Sequence, residues 1–161
     1  MEYPTRKKNR LANYDYSQNG AYFITICTEG KKCCLSSIVG AIIDRPAYAQ
    51  LTQTGKIVET AISGISEHYQ DVYVEKYVIM PNHIHILLMI DVPNGRPMVA
   101  PTVARVIKQM KGYVTKRVGE NLFQKSYHDH IIRDRAHFDM IWNYIDTNPI
   151  RWEQDCFYTE E

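Results

Sequence analysis

Residues 71–90 read DVYVEKYVIMPNHIHILLMI. Asp71–Met80 alternates aromatic and β-branched side chains, as in Val72-Tyr73-Val74 and Tyr77-Val78, and reads as a strand. Pro81-Asn82 is turn chemistry. His83–Ile90 is apolar throughout except for its two histidines, the composition of a strand buried on both sides. Two such strands separated by a turn predict a hairpin.

Working outward, Ala21–Thr28 (AYFITICT) follows the turn pair Asn19-Gly20 and reads as another strand. From about Leu51 to Tyr69, residues Ile57, Val58, Ala61, Ile62 and Ile65 place an apolar stripe along one side of a helix, within which Gly64 costs roughly 1 kcal/mol relative to alanine. Pro93, Asn94, Gly95 and Pro97 make Asp91–Ala100 a loop. Pro101–Val118 puts Val103, Val106, Ile107, Met110, Val114 and Val118 on one helical face and ends before Gly119, a residue suited to a left-handed cap. Ser126–Arg133 reads as a fourth strand. Asp134 is placed to N-cap a last helix reaching about Asn148, where Pro149 disfavours further turns. The order β-α-β-β-α-β-α predicts an α+β fold of the ferredoxin-like split βαβ type. Its core is a four-stranded antiparallel sheet with helices on one face, and the last helix is an addition.

The 161 residues suit one domain, and 45% hydrophobic with 23% charged residues argues against disorder. No run approaches the ~20 apolar residues of a membrane span, and the basic start lacks a signal-peptide core, so a cytoplasmic location is expected. Cys27, Cys33, Cys34 and Cys156 lack zinc-site spacing and are assigned no chemistry. The net charge of +1 conceals two poles: Arg6, Lys7, Lys8 and Arg10 crowd the start, while Glu153, Asp155, Glu160 and Glu161 crowd the end. Between Asp91 and Glu120 there is no acid, yet Arg96, Arg105, Lys108, Lys111, Lys116 and Arg117 all fall there. Such a segment suits a polyanion.

His83 and His85 are two apart on a strand, so both imidazoles share a face, with Ile84, Ile86 and Leu88 on the other. Polar rings in a buried surface need compensation. A shared metal ion supplies it; so would two separate hydrogen bonds beside the turn. Leu87 rules out a histidine-triad hydrolase, and Leu87-Leu88 rules out the metallo-β-lactamase pattern. No sulfur or imidazole is spaced to close a structural zinc tetrahedron. On the last helix, His137, Met140, Tyr144 and Asn148 recur at i, i+3, i+7 and i+11 beside a core face of Phe138, Ile141, Trp142 and Ile145. Packed against the histidine strand, Asn148 would offer a carbonyl oxygen and Tyr144 its phenol. Spacing alone does not choose Tyr144 among twelve tyrosines, and Tyr113, amid the positive charge, is the rival.

Met80-Pro81-Asn82-His83-Ile84-His85, followed about sixty residues on by Tyr144-Ile145-Asp146-Thr147-Asn148-Pro149, resembles the HUH single-tyrosine transposases of the insertion-sequence type, and within them the REP-associated tyrosine transposases. Tyr127–Asp134 resembles the segment leading into their tyrosine helix, so the likeness spans Tyr22 to Trp152. It implies a DNA strand transferase in which Tyr144 attacks a phosphate to give a 5′-phosphotyrosine and a free 3′-hydroxyl. His83, His85 and Asn148 would hold a divalent ion, Mg or Mn. Some relatives carry glutamine where this chain has the shorter Asn148, and His130 is the alternative donor.

The resemblance further implies single-stranded hairpin DNA as substrate, read in part by the basic N-terminal segment carrying Arg6, Lys7, Lys8 and Arg10, and the acid-free charge of Arg105, Lys108, Lys111, Lys116 and Arg117 suits contact with its backbone. The alternative is a domesticated hairpin-binding protein without transposition activity. No membrane partner is expected; the resemblance allows a homodimer, as in insertion-sequence relatives, or a monomer, as in REP-associated ones. The organisation becomes a basic segment at 1–20, a catalytic domain at 21–152 ending in the tyrosine helix, and an acidic tail at 153–161.

Overall fold

The computed structural model describes residues 14–16, 18–93 and 102–159. In chain order the strands and α-helices are β1 (Gly20–Cys27), β2 (Ser36–Val39), β3 (Tyr48–Leu51), α1 (Gln53–His68), β4 (Val72–Ile79), β5 (His83–Ile90), α2 (Val103–Val118), β6 (His128–Ile132) and α3 (Arg135–Thr147). The main sheet has the order β4-β5-β1-β6, and every neighbouring pair is antiparallel. This is the expected split βαβ arrangement.

The helix boundaries follow local chemistry. Thr52 and Thr102 accept from the amides of Gly55 and Arg105 at the starts of α1 and α2, and Asp134 accepts from the His137 amide at the start of α3. Gly119 ends α2 at φ 89°, a left-handed conformation that glycine adopts without a Cβ penalty.

Helices α1 and α2 cover one face, packing Val58, Ile62, Val106 and Ile107 on Ile24, Ile26, Ile84, Ile86 and Leu88. Helix α3 lies on the opposite face, where Ile141 and Ile145 meet Ala21, Leu87 and Ile132. The expectation of helices on one face therefore holds for α1 and α2. The alternation of β5 sorts its side chains: the even-numbered residues go to the larger core, and His83 and His85 go to the face that α3 covers.

Two features depart from simple periodicity. A bulge between Val74 and Lys76 shifts the β4 register, so Val72 and Val74 before it and Tyr77 and Ile79 after it join the same core. Lys76 is thereby turned towards α3, where it bonds Asp146 at 2.6 Å and lies 4.1 Å from the Trp142 ring centre. The short strands β2 and β3 form a separate two-stranded sheet, tied to the main body by Ser36 Oγ donating to the Ile79 carbonyl at 2.9 Å.

Candidate active site

The β1–β5 register sets Thr25 opposite His85 and Cys27 opposite His83. Both imidazoles are buried, at 0% and 1% exposure, and their Nε2 atoms lie 3.1 Å apart. Asn82 donates its amide Nδ2 to the Phe157 carbonyl at 2.8 Å, which leaves Asn82 Oδ1 to accept from His83 Nδ1 at 2.9 Å. His83 therefore carries its proton on Nδ1 and presents a bare Nε2. His85 Nδ1 is engaged by the Thr25 hydroxyl at 2.8 Å, leaving its Nε2 to face that of His83. Burial pulls the His83 pKa down to about 4, against the raising influence of the Asp155 carboxylate and the Asn148 side chain. Burial, then the neighbouring His83, pulls His85 well below the ordinary histidine value. Both rings are neutral at pH 7, the form that binds metal.

Helix α3 brings Tyr144 and Asn148 over this pair. The Tyr144 ring packs 5.3 Å from the His85 ring and 5.9 Å from Phe23, and its hydroxyl lies 3.4 Å from His85 Nε2. Asn148, at the C-cap of α3, is 2% exposed. Its Nδ2 donates to Asp155 Oδ2 at 3.1 Å, while its Oδ1 is buried with no hydrogen-bond partner. Tyr144 donates to the same Asp155 oxygen at 3.4 Å. Burial, followed by the Asp155 charge, pushes the Tyr144 pKa up to about 12. Phe157 and Trp152 close the site over His83, at ring separations of 4.6 and 5.9 Å.

These residues fit a divalent ion. Two nitrogens each ~2.1 Å from one centre at right angles lie ~3.0 Å apart, close to the 3.1 Å Nε2 separation. An orphaned buried carbonyl oxygen on Asn148 supplies the unmet acceptor that a cation would satisfy. His83, His85 and Asp155 offer ligand atoms within 4.8 Å of one another, and this mixture of imidazole and oxygen donors is accepted by several first-row ions.

Asp155 was not singled out for this site by its spacing. It falls in the stretch 153–161 expected as an acidic tail, seven residues beyond Asn148 and after Pro149, where no helical period reports on it. The chain continues past α3 as a 3₁₀ turn, Pro149–Gln154, and this turn carries Asp155 back to the tyrosine. His130 faces the same side of the sheet but pairs with Phe23 and packs 4.8 Å from the His137 ring. Tyr113 is 38% exposed on α2, across the sheet from the histidines.

Arg105, Lys108, Lys116 and Arg117 are exposed on α2, also across the sheet from Tyr144. Lys111 is half-buried, and its ammonium donates to the Gln124 and Ser126 carbonyls at 2.8 and 3.4 Å. It ties α2 to the segment before β6. Arg6, Lys7, Lys8 and Arg10 lie outside the described residues.

A four-stranded antiparallel sheet thus carries paired histidines on a central strand, with the tyrosine of α3 packed across them. The chain belongs to the family described as "Transposase IS200 like", whose model matches residues 34–148 and so takes in His83, His85, Tyr144 and Asn148. An uncharacterised Haemophilus influenzae Rd protein is 33% identical over 175 positions, covering 96% of this chain and 94% of that one. The solved structure of a REP-associated tyrosine transposase bound to a REP hairpin superposes with a TM-score of 0.64 at 18% identity, over 88% of this chain and 73% of the other. Among the described residues, no helix is long and apolar enough to cross a membrane.

Proposed function

We propose that this transposase is a metal-dependent DNA strand transferase that binds single-stranded hairpin DNA and cleaves and rejoins it through a covalent 5′-phosphotyrosine on Tyr144. The observation that carries the reading is the convergence on one buried point of the Tyr144 hydroxyl, the two histidine Nε2 atoms and the Asp155 carboxylate. His83, His85 and Asn148 would hold Mg²⁺ or Mn²⁺, with Asp155 as a further oxygen donor in reach. When bound, the ion polarises the non-bridging oxygens of a phosphate.

Tyr144 Oη forms the new bond to phosphorus as the P–O3′ bond breaks, and the departing 3′-oxygen takes up a proton. The phenol proton has Asp155 Oδ2 as its nearest carboxylate acceptor, 3.4 Å away. Thr25 and Asn82 fix the imidazole orientations through the outer nitrogens. Reversal by a 3′-hydroxyl rejoins the strand, because the phosphodiester energy is retained in the tyrosine link. The exposed cations Arg105, Lys108, Lys116 and Arg117, with Arg6, Lys7, Lys8 and Arg10, supply backbone contact, and the hairpin in the related solved structure supports that shape of substrate. Helix α3 packs over the histidines of its own chain, an arrangement in which Tyr144 serves the site in cis; a homodimer belongs to the reading as a possible assembly. A cytoplasmic location belongs to the same reading.

The test is incubation with labelled single-stranded hairpin DNA and Mg²⁺ or Mn²⁺, then denaturing electrophoresis and mass mapping, beside Tyr144→Phe, Tyr113→Phe and His85→Ala. A chelator-sensitive adduct on Tyr144 is expected. Tight hairpin binding with no adduct on any DNA would instead indicate a domesticated binding protein; cleavage surviving Tyr144→Phe would indicate a water-using nuclease.

A further inference from the structure

Helix α3 is held to the sheet by contacts of two kinds. Its middle, Ile141 and Ile145, rests on Ala21, Leu87 and Ile132. Apolar burial is non-directional, so this seat fixes the height of the helix above the sheet but leaves its roll about its own axis soft. The edges are different. By helical spacing Trp142 and Asp146 lie one turn apart on one edge, Tyr144 and Asn148 on the other, with the two isoleucines between them. The second edge is the tyrosine site; the first meets β4.

A single cation grips that first edge. Lys76 Nζ lies 2.6 Å from Asp146 Oδ1 and 4.1 Å from the centre of the Trp142 ring. An exposed ion pair alone contributes little, but the Lys76 side chain is only 18% exposed, and a cation over an indole adds a second directional contact. The backbone of β4 is shaped to deliver it. Val72 and Val74 point into the core beneath α1 and α2, and unbroken alternation would send Lys76 after them. The bulge between Val74 and Lys76 turns it to the opposite face instead. There Lys76 stands opposite Leu87, and Val78 stands opposite His85, so the cation is one same-face step along β4 from the row that holds His85.

We propose that Lys76 is a positioning residue of the tyrosine site: its hold on Trp142 and Asp146 sets the roll of α3 that places the Tyr144 hydroxyl beside His85. The proposal rests on the strand-transfer reading and extends it to a strand that carries none of the reacting groups. The Tyr144 hydroxyl lies 3.4 Å from His85 Nε2 and 3.4 Å from Asp155 Oδ2, so small rolls matter. A side-chain tip stands about 5–6 Å from the helix axis, and a roll of about 10° carries it about 1 Å. Misplacement of that size costs up to about 100-fold in rate. Lys76 acts through α3 and touches neither His85 nor the tyrosine.

The test compares wild type with Lys76→Met, which keeps an aliphatic stem against Trp142 and removes the charge, and with Asp146→Asn at an exposed position. At saturating labelled hairpin DNA with Mn²⁺, Lys76→Met should slow formation of the Tyr144 adduct about 10- to 100-fold. The half-saturating DNA concentration and the Mn²⁺ affinity should stay within about twofold of wild type. Asp146→Asn should act in the same direction, and the exchange Lys76→Asp with Asp146→Lys should recover most of the rate that either change alone loses. A second readout needs no DNA. In the chelated protein the Tyr144 ring lies 5.3 Å from that of His85, so the NMR shifts of the His85 ring protons should move in Lys76→Met and return in the exchange variant. A wild-type adduct rate and unmoved His85 shifts in Lys76→Met would overturn the positioning role and leave strand transfer standing. Shifts that move and return, in a protein whose wild type forms no adduct on any DNA, would support the seating of α3 and sink strand transfer. A rate lost in step with the folded fraction or with Mn²⁺ affinity, and not recovered by the exchange, would make Lys76 a stability residue only and overturn the proposal.

Discussion

One carboxylate oxygen of Asp155 lies 3.4 Å from the Tyr144 hydroxyl and takes a 3.1 Å hydrogen bond from Asn148 Nδ2. A residue expected in an acidic tail thus holds the nucleophile and a candidate metal ligand together. If its carboxylate also serves the ion, Asp155→Asn should lower Mn²⁺ affinity about 10- to 100-fold by calorimetric titration, with His85→Ala at least as damaging. Unchanged affinity would restrict Asp155 to a partner of the phenol.

The basic residues of α2 divide into two groups that sequence cannot separate. Lys111 satisfies two backbone carbonyls, and burial pulls its pKa down to about 8; Lys108 is exposed on the outer surface. Lys111→Met should cost about 1–2 kcal/mol in urea unfolding while changing hairpin affinity less than about twofold. Lys108→Ala should stay within about 0.5 kcal/mol of wild-type stability and reduce the salt slope of DNA binding by about one. The reverse pattern would return Lys111 to the DNA-contacting set.

How far the fold could be read depended on whether a segment's burial was regular. His83–Ile90 appears with the expected ends because both faces are buried, and α3 starts where Asp134 can cap it. The β2–β3 pair escaped detection: its strands have four residues each, too few for alternation to register. They are held by distant partners such as the Ile79 carbonyl. The bulge after Val74 likewise answers to packing on both faces of β4. At the site, His83, His85, Tyr144 and Asn148 were visible through motif and helical spacing. Asp155 was not, because a 3₁₀ turn after Pro149 has no long periodicity and the return of Asp155 to Tyr144 and Asn148 is set by tertiary packing.

Gly55 offers a stability test remote from the site. A Cβ there would fall on the Leu35 carbonyl oxygen, the same oxygen that accepts from the Thr52 amide at 3.0 Å and the Thr52 hydroxyl at 2.9 Å. The obstruction is the Leu35 backbone, with the Leu51 Cβ next at 3.3 Å, and neither is the far end of a flexible side chain that could yield. Gly55→Ala should therefore destabilise by about 2–3 kcal/mol, although alanine has the higher helix propensity; Gly64→Ala, whose Cβ would meet open space, should gain up to about 1 kcal/mol. Denaturant midpoints measured side by side distinguish the two, and equal shifts would contradict the packing at Leu35.

The paired histidines impose a pH dependence on the metal-free protein. Burial lowers both pKa values in the folded chain, His83 to about 4 and His85 in the same direction, whereas the unfolded rings titrate near 6.5. As pH falls below about 6.5, the unfolded state takes up protons that the folded state refuses, so stability declines towards acid by up to about 1.4 kcal/mol per pH unit for each histidine. The full stability is present above that value. Melting of the chelated protein should therefore be flat between pH 7 and 8 and fall between about 6.5 and 5, before most carboxylates titrate. Replacing both rings, His83→Leu with His85→Leu, should remove most of that fall and abolish Mn²⁺ binding together. A wild-type melting temperature unchanged from pH 8 to 5 would mean that the rings accept protons in place, and the neutral pair required for metal binding would not be the resting state.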